Sequence, residues 1–204
     1  MRLGVWVFEA EDGIRGLCLS RGLGNMYKRQ QLMDDPSLTV RITSEELGVP
    51  DSLQQPLRVV VDSQLQMADT ARMLQQPGPV LVATLDDASQ REKAKALTNA
   101  GAEVIFLPAL GPHIDLRALL VTLAARGCNQ VMVEAGAGLA GAFVAEGLLD
   151  ELVCYWAPKL FGSDARAMFN LPIRTIDAHL ALSVKDLRMI GEDIRVTLYP
   201  DKDY

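Results

Sequence analysis

The 204-residue chain predicts an α/β fold of three layers, a mostly parallel sheet ending in an antiparallel C-terminal hairpin. Three observations carry this expectation. Short β-prone apolar runs at 57–63, 80–84, 103–107, 131–133 and 152–157 alternate with segments of helical period as far as residue 157. Two late strands, around 182–189 and 194–199, flank the turn Gly191-Glu192-Asp193 and read as a hairpin. Between them in weight stands the stretch 131–141, where an apolar strand runs into glycines and then into a helix with Leu139, Phe143 and Val144 on one face.

Taken in order, residues 1 to about 30 keep neither a helical nor an alternating period, and glycine recurs at 4, 13, 16, 22 and 24. Phe8–Arg15 and Ser20–Gln30 resemble translated sequencing-adapter read-through, so residues 1–31 are expected to be a non-native leader outside the fold. Residues 32–204 then form an N-terminally truncated domain. Asp34-Asp35-Pro36 is an acidic turn, because proline biases its predecessor away from the helical region. A short extended piece follows at 39–41, then a polar loop over 42–56 and the strand 57–63. Pro77-Gly78 precedes the strand 80–84, and residues 87–100 form a charged helix closed by Gly101. Asp115 caps a helix burying Leu116, Leu119, Leu120 and Leu123, which Gly127 ends. After the strand-turn-helix unit, Gly147 marks a helix stop and Lys159, Gly162 and Ser163 lie in a loop.

Bulk properties narrow the classes. A net charge of −6 without a basic cluster argues against nucleic-acid binding, and 49% hydrophobic residues suffice for a core. No apolar run reaches the ~20 residues of a membrane span. The three scattered cysteines, 18, 128 and 154, offer neither a disulfide framework nor zinc spacing. A cytoplasmic setting and no metal site are expected.

The stretch 131–141 is where the chemistry is expected. A helix start carries free N–H donors and the positive end of the helix dipole, and both suit an anion such as a coenzyme pyrophosphate. Gly136-x-Gly138-x-x-Gly141 satisfies the dinucleotide fingerprint. However, Ala157-Pro158-Lys159 stands where a Rossmann unit needs an acid. On spacing alone, the small residues also fit close packing of the helix on the sheet. Glu134 ends the strand at the mouth of the same crevice, and Asp62-Ser63 ends another strand at its carboxyl edge.

Val133–Gly136 with Leu139–Phe143, Gly147–Leu152 and Ala157–Gly162 resemble the C-terminal reductase domain of the bifunctional riboflavin-biosynthesis deaminase/reductase. Asp34–Arg41 and Arg58–Ser63 match two further blocks, so the resemblance covers about residues 32–199. It implies a dihydrofolate-reductase-like fold, NADPH as cofactor, and 5-amino-6-(5-phosphoribosylamino)uracil as the substrate whose ribosyl chain becomes ribityl. Carried over by position, it implies that Gly136, Ala137, Gly138, Leu139, Ala140, Gly141 and Ala142 meet the coenzyme, with Ser63 and Asp34 also in contact. Leu38, Arg41 and Glu134 would touch substrate, Arg41 at its phosphate. Glu134 would orient the ribose and Asp34 assist proton movement. The family suggests a homodimer.

The chain departs from that family in two ways. The deaminase half, with its His-x-Glu and Pro-Cys-x-x-Cys zinc-site motifs, has no counterpart here. The family's opening strand and first helix should precede Asp34, where the leader stands instead, so this polypeptide is expected to be impaired. The rival readings are a related reductase of another pteridine or pyrimidine, and a non-catalytic fragment that binds nucleotide.

Overall fold

The computed structural model describes residues 2–7, 19–20, 37–39, 55–162, 164–165 and 167–201. In chain order the strands are β1 (Arg2–Val7), β2 (Leu19–Ser20), β3 (Arg58–Val61), β4 (Val80–Leu85), β5 (Glu103–Leu107), β6 (Ala109–Leu110), β7 (His113–Ile114), β8 (Gln130–Val133), β9 (Glu151–Trp156), β10 (Leu182–Ile190) and β11 (Asp193–Pro200). The helices are α1 (Arg91–Asn99), α2 (Leu116–Ala125) and α3 (Ala137–Ala145). Short 3₁₀ turns occupy Arg72–Gln75, Ala88–Gln90 and Ile176–Ala178. The chain divides into two compact units, residues 14–126 and residues 1–13 with 127–204.

In the unit of residues 14–126 the strand order is β2-β3-β4-β5, all parallel. All four residues of β3 and five of the six in β4 are buried, as strands covered on both faces must be. The core gathers Val60, Leu65, Met73, Val80, Val82, Ala94, Leu97 and Ala102, with Leu38, Met67, Leu74, Val104 and Phe106 packed against it. Helix α1 contributes Ala94 and Leu97 at helical spacing. It ends where Gly101 takes φ +101°, a left-handed backbone that glycine adopts without strain. Helix α2 buries Leu116, Leu119 and Leu123 and is capped by Asp115, whose carboxylate accepts the Ala118 N–H at 3.0 Å.

In the other unit the order is β10-β11-β9-β1-β8. Strand β1 is parallel to both β8 and β9, pairing Val5 with Val133 and with Leu152. Strands β9, β11 and β10 follow as an antiparallel group, with the β10–β11 hairpin turning at Gly191.

The parallel strands and the late hairpin match the expected class, and most boundaries shift by one or two residues. Three features differ. The charged helix begins as a 3₁₀ turn at Ala88–Gln90 before becoming α-helical at Arg91. A two-stranded ribbon, β6–β7, lies where no strand was expected. Arg2–Val7 and Leu19–Ser20, within the stretch expected to lie outside the fold, form β1 and β2, and the other residues of 1–31 lie outside the described ones.

Candidate functional site

In the unit that contains it, β8 delivers the chain to Glu134, which is half-buried just beyond the strand's carboxyl end. Gly136 is the N-cap of α3, in extended backbone at φ −65° and ψ 167°. The first intrahelical bond is donated by the Ala140 N–H to the Gly136 carbonyl, at 3.2 Å. Glycine has no side chain to turn back onto the first-turn amides, and that turn holds no acid. The amides of Ala137, Gly138 and Leu139 therefore meet no carboxylate or hydroxyl from their own cap or first turn, where the positive end of the helix dipole lies. A phosphate fits that chemistry.

The glycines of this stretch divide their work. Gly141 is buried, and a Cβ there would overlap the carbonyl oxygen of Asn170 and stand 3.0 Å from its carbonyl carbon and its nitrogen. The Asn170 N–H also donates to the Ala137 carbonyl at 2.9 Å. The segment around Asn170 is thus strapped across the first turns of α3, and Gly141 is where its backbone comes closest. Leu139, Ala140 and Phe143 are buried, while Gly136, Ala137, Gly138 and Ala142 are half-buried.

In the unit of residues 14–126, Ser63 follows β3 and Asp62. The Asp62 carboxylate accepts three backbone amides: Gln64 at 3.3 Å, Gln66 at 2.5 Å and Met67 at 2.8 Å. This collection curls the loop tightly enough to hold Leu65, a buried non-glycine residue, at φ +46°. On the other side the Gln90 side-chain amide donates to the Ser63 carbonyl at 3.0 Å, and the Thr84 hydroxyl donates to Gln90 Oε1 at 2.8 Å.

Leu38 is half-buried against the core, at φ +50°. Its neighbour Ser37 offers its carbonyl to Arg58, whose guanidinium also donates to the carbonyls of Met73, Gln76 and Gly78. Arg58 is fully buried, burial lowers its pKa, and it pairs with no carboxylate among the described residues. Four carbonyl dipoles take the place of a counter-ion. Asp34 and Arg41, the other residues assigned to this region, lie outside the described residues.

The structure thus brings Glu134 and Gly136–Ala142 together at one strand-to-helix turn and sets Ser63 in a braced loop. Thr84, Gln90 and Asn170 escaped the sequence reading, and Arg58 entered it only as the first residue of a matching block. A cation opening an otherwise apolar strand was the one visible sign for Arg58; its acceptors lie 15 to 21 residues away. Among the described residues no three acids, histidines or cysteines gather as metal ligands, and no helix is long and apolar enough to cross a membrane.

Comparison with known proteins identifies the family of the chain. Residues 29–196 match the RibD C-terminal domain family. The riboflavin biosynthesis protein RibD of Escherichia coli is 36% identical over 169 residues, covering 80% of this chain and 44% of that protein. The chain therefore spans less than half of that relative. A 5-amino-6-(5-phosphoribosylamino)uracil reductase of Buchnera aphidicola from Acyrthosiphon pisum is 28% identical over 177 residues, covering 84% of this chain and 83% of the relative. Among solved structures, Acinetobacter baumannii RibD superposes with a TM-score of 0.74 at 27% identity, over 98% of this chain and 58% of that one. With the family match running from before Asp34 to within β11, this chain belongs to the RibD C-terminal domain family.

Proposed function

We propose that this chain reduces 5-amino-6-(5-phosphoribosylamino)uracil to the ribitylamino phosphate with NADPH, in the cytoplasm. The observation that carries the reading is the glycine-capped start of α3 directly after Glu134. It is supported by likeness to a reductase of that name over 83% of the relative's length. When bound, NADPH supplies the hydride for the ribosyl C1.

The chain's own residues do the rest. The amides and small residues from Gly136 through Ala142 hold the coenzyme phosphates, and Ser63 with Asp34 adds contacts to the coenzyme. Leu38 and Arg41 take the substrate, Arg41 gripping its phosphate with the fork geometry that suits guanidinium. Glu134 orients the ribose, and Asp34 helps move the proton required as the sugar ring opens. Holding the reacting carbon in place accounts for most of the acceleration such a site provides.

The test is Glu134→Gln, which keeps shape and removes charge. Turnover of the ribosylaminouracil phosphate is expected to fall about a hundredfold or more, while NADPH affinity stays within about threefold. Unchanged turnover would remove Glu134 from the mechanism. Reduction of dihydrofolate in preference to the ribosylaminouracil phosphate would favour the rival substrate class.

We also infer a homodimer. Met189, Ile194 and Trp156 form one cross-strand row of the antiparallel group, and Leu187, Val196 and Cys154 form the next. Trp156, Leu187 and Met189 are 66%, 63% and 60% exposed, a concentration of large apolar groups suited to burial against a second copy. Sedimentation should give twice the chain mass, shifting to monomer for Leu187→Lys with Met189→Lys; a wild-type monomer would end this inference.

A further inference from the structure

We propose that Thr84 and Gln90 are positioning residues for coenzyme binding, acting through the Ser63 carbonyl. The inference rests on the reading of Ser63 as a coenzyme contact and deepens it.

The direction of each proton is fixed by chemistry. A carbonyl oxygen only accepts, so Gln90 must turn its NH₂ toward Ser63, at 3.0 Å. That places Oε1 toward Thr84, whose hydroxyl must then donate, at 2.8 Å. Both side chains are buried, Thr84 completely and Gln90 to within 9% exposure, so water offers no ready substitute for either bond. The relay joins three places that sequence keeps apart: the carboxyl end of β4, the 3₁₀ turn that opens α1, and the loop after β3.

The relay also has a counterpart across the loop. The Asp62 carboxylate gathers the amides on the far side of Ser63, from Gln64 to Met67. Ser63 is therefore held by its own carbonyl on one side and by its neighbour's carboxylate on the other. Neither bond uses the Ser63 hydroxyl. If the amide of Gln90 lost its orientation, the carbonyl of Ser63 would lose its only fixed donor among the described bonds, and the loop would have to be ordered by the coenzyme at the expense of affinity.

The experiment uses the full chain and reads NADPH binding by fluorescence titration, alongside urea denaturation without coenzyme. Thr84→Val keeps the shape and deletes the donor; its Kd for NADPH is expected to rise about fivefold to tenfold. Thr84→Ser, which restores the hydroxyl, is expected to return the Kd to within about twofold of wild type. Gln90→Met should weaken binding at least as much as Thr84→Val, and the double variant should be no weaker than Gln90→Met alone, because both act along one path. In turnover, the KM for NADPH should rise while kcat at saturating NADPH and the KM for the ribosylaminouracil phosphate hold.

A Thr84→Val chain with lowered urea midpoint and wild-type Kd would overturn the proposal, showing the relay to be structural only. Additive effects in the double variant would also overturn it. Wild-type chain that folds and fails to bind NADPH would overturn the coenzyme reading itself, and this proposal with it.

Discussion

Helices α2 and α3 begin in opposite ways. At α2, Asp115 enters in extended backbone and turns its carboxylate onto the Ala118 N–H. The same residue's own N–H donates to the Pro108 carbonyl at 2.9 Å, so the entry is tied on both sides. At α3, Gly136 enters in equally extended backbone and brings no side chain. The two helices are nearly equal in length, at ten and nine residues. A capping acid is worth ~1 kcal/mol over alanine but only a few tenths of a kcal/mol over glycine, so the glycine start of α3 costs the helix little. The difference fits the function proposed above, in which one start serves the fold and the other meets a phosphate.

The sharpest way to break the comparison is to make α3 resemble α2. The backbone of Gly136 lies at negative φ, so Gly136→Asp demands no left-handed backbone there. An aspartate would cap the amides itself and repel phosphate. NADPH affinity is expected to fall about a hundredfold, while the urea midpoint changes little, since aspartate exceeds glycine at this position by only a few tenths of a kcal/mol. Affinity that survives the change would mean that phosphate does not sit there.

The reverse experiment removes the cap that α2 possesses. Asp115→Ala should cost ~1 kcal/mol of stability in urea denaturation and leave NADPH affinity within about twofold. A loss of affinity as large as that for Gly136→Asp would erase the distinction between the two starts.

The smallest expected effect concerns the far end of α2. Arg126, just past the helix, donates to both Glu103 carboxylate oxygens, at 2.7 and 2.5 Å, tying the helix to β5. The Arg126 hydrogen bond holds the Glu103 carboxyl below its usual pKa, with burial opposing it and the arginine's charge adding to it. A depressed folded pKa means that this stabilisation is present above the unfolded value, ~4.3, and is lost as pH falls through the folded one. Both side chains are substantially exposed, so the loss is at most ~0.5 kcal/mol. Comparing wild type with Glu103→Gln in urea at pH 7 and at pH 3 should show that difference closing in acid; a gap that widened would reverse the assignment.

What could be read from the sequence was what is local. The turn from β8 into α3 was legible because an apolar β-prone run, spaced glycines and a helical face follow one another within a dozen or so residues. The cap of α2 and the Gly191 turn were legible for the same reason. The ribbon β6–β7 was not, since two-residue strands are too short to show alternation. Nor was the work of Gly141: the fingerprint suggests an approach to phosphate, whereas its close neighbour is the Asn170 backbone, 29 residues further along. Gln90 is separated from Ser63 by 27 residues, and nothing in the run of a charged helix announces a buried amide. Contacts of that kind are created by topology, and the linear pattern carries no trace of them.

Position 38 illustrates where such demands collide. Its left-handed backbone would be most comfortable for glycine or asparagine, whereas the core beneath it calls for a large hydrocarbon. Leucine satisfies the interior and leaves the peptide wound against its preference, a tension of ~1–2 kcal/mol kept in check by the grip of Arg58 on Ser37. Natural drift here should therefore be narrow: branching at Cβ tightens the coil further, and trimming the side chain opens a hole.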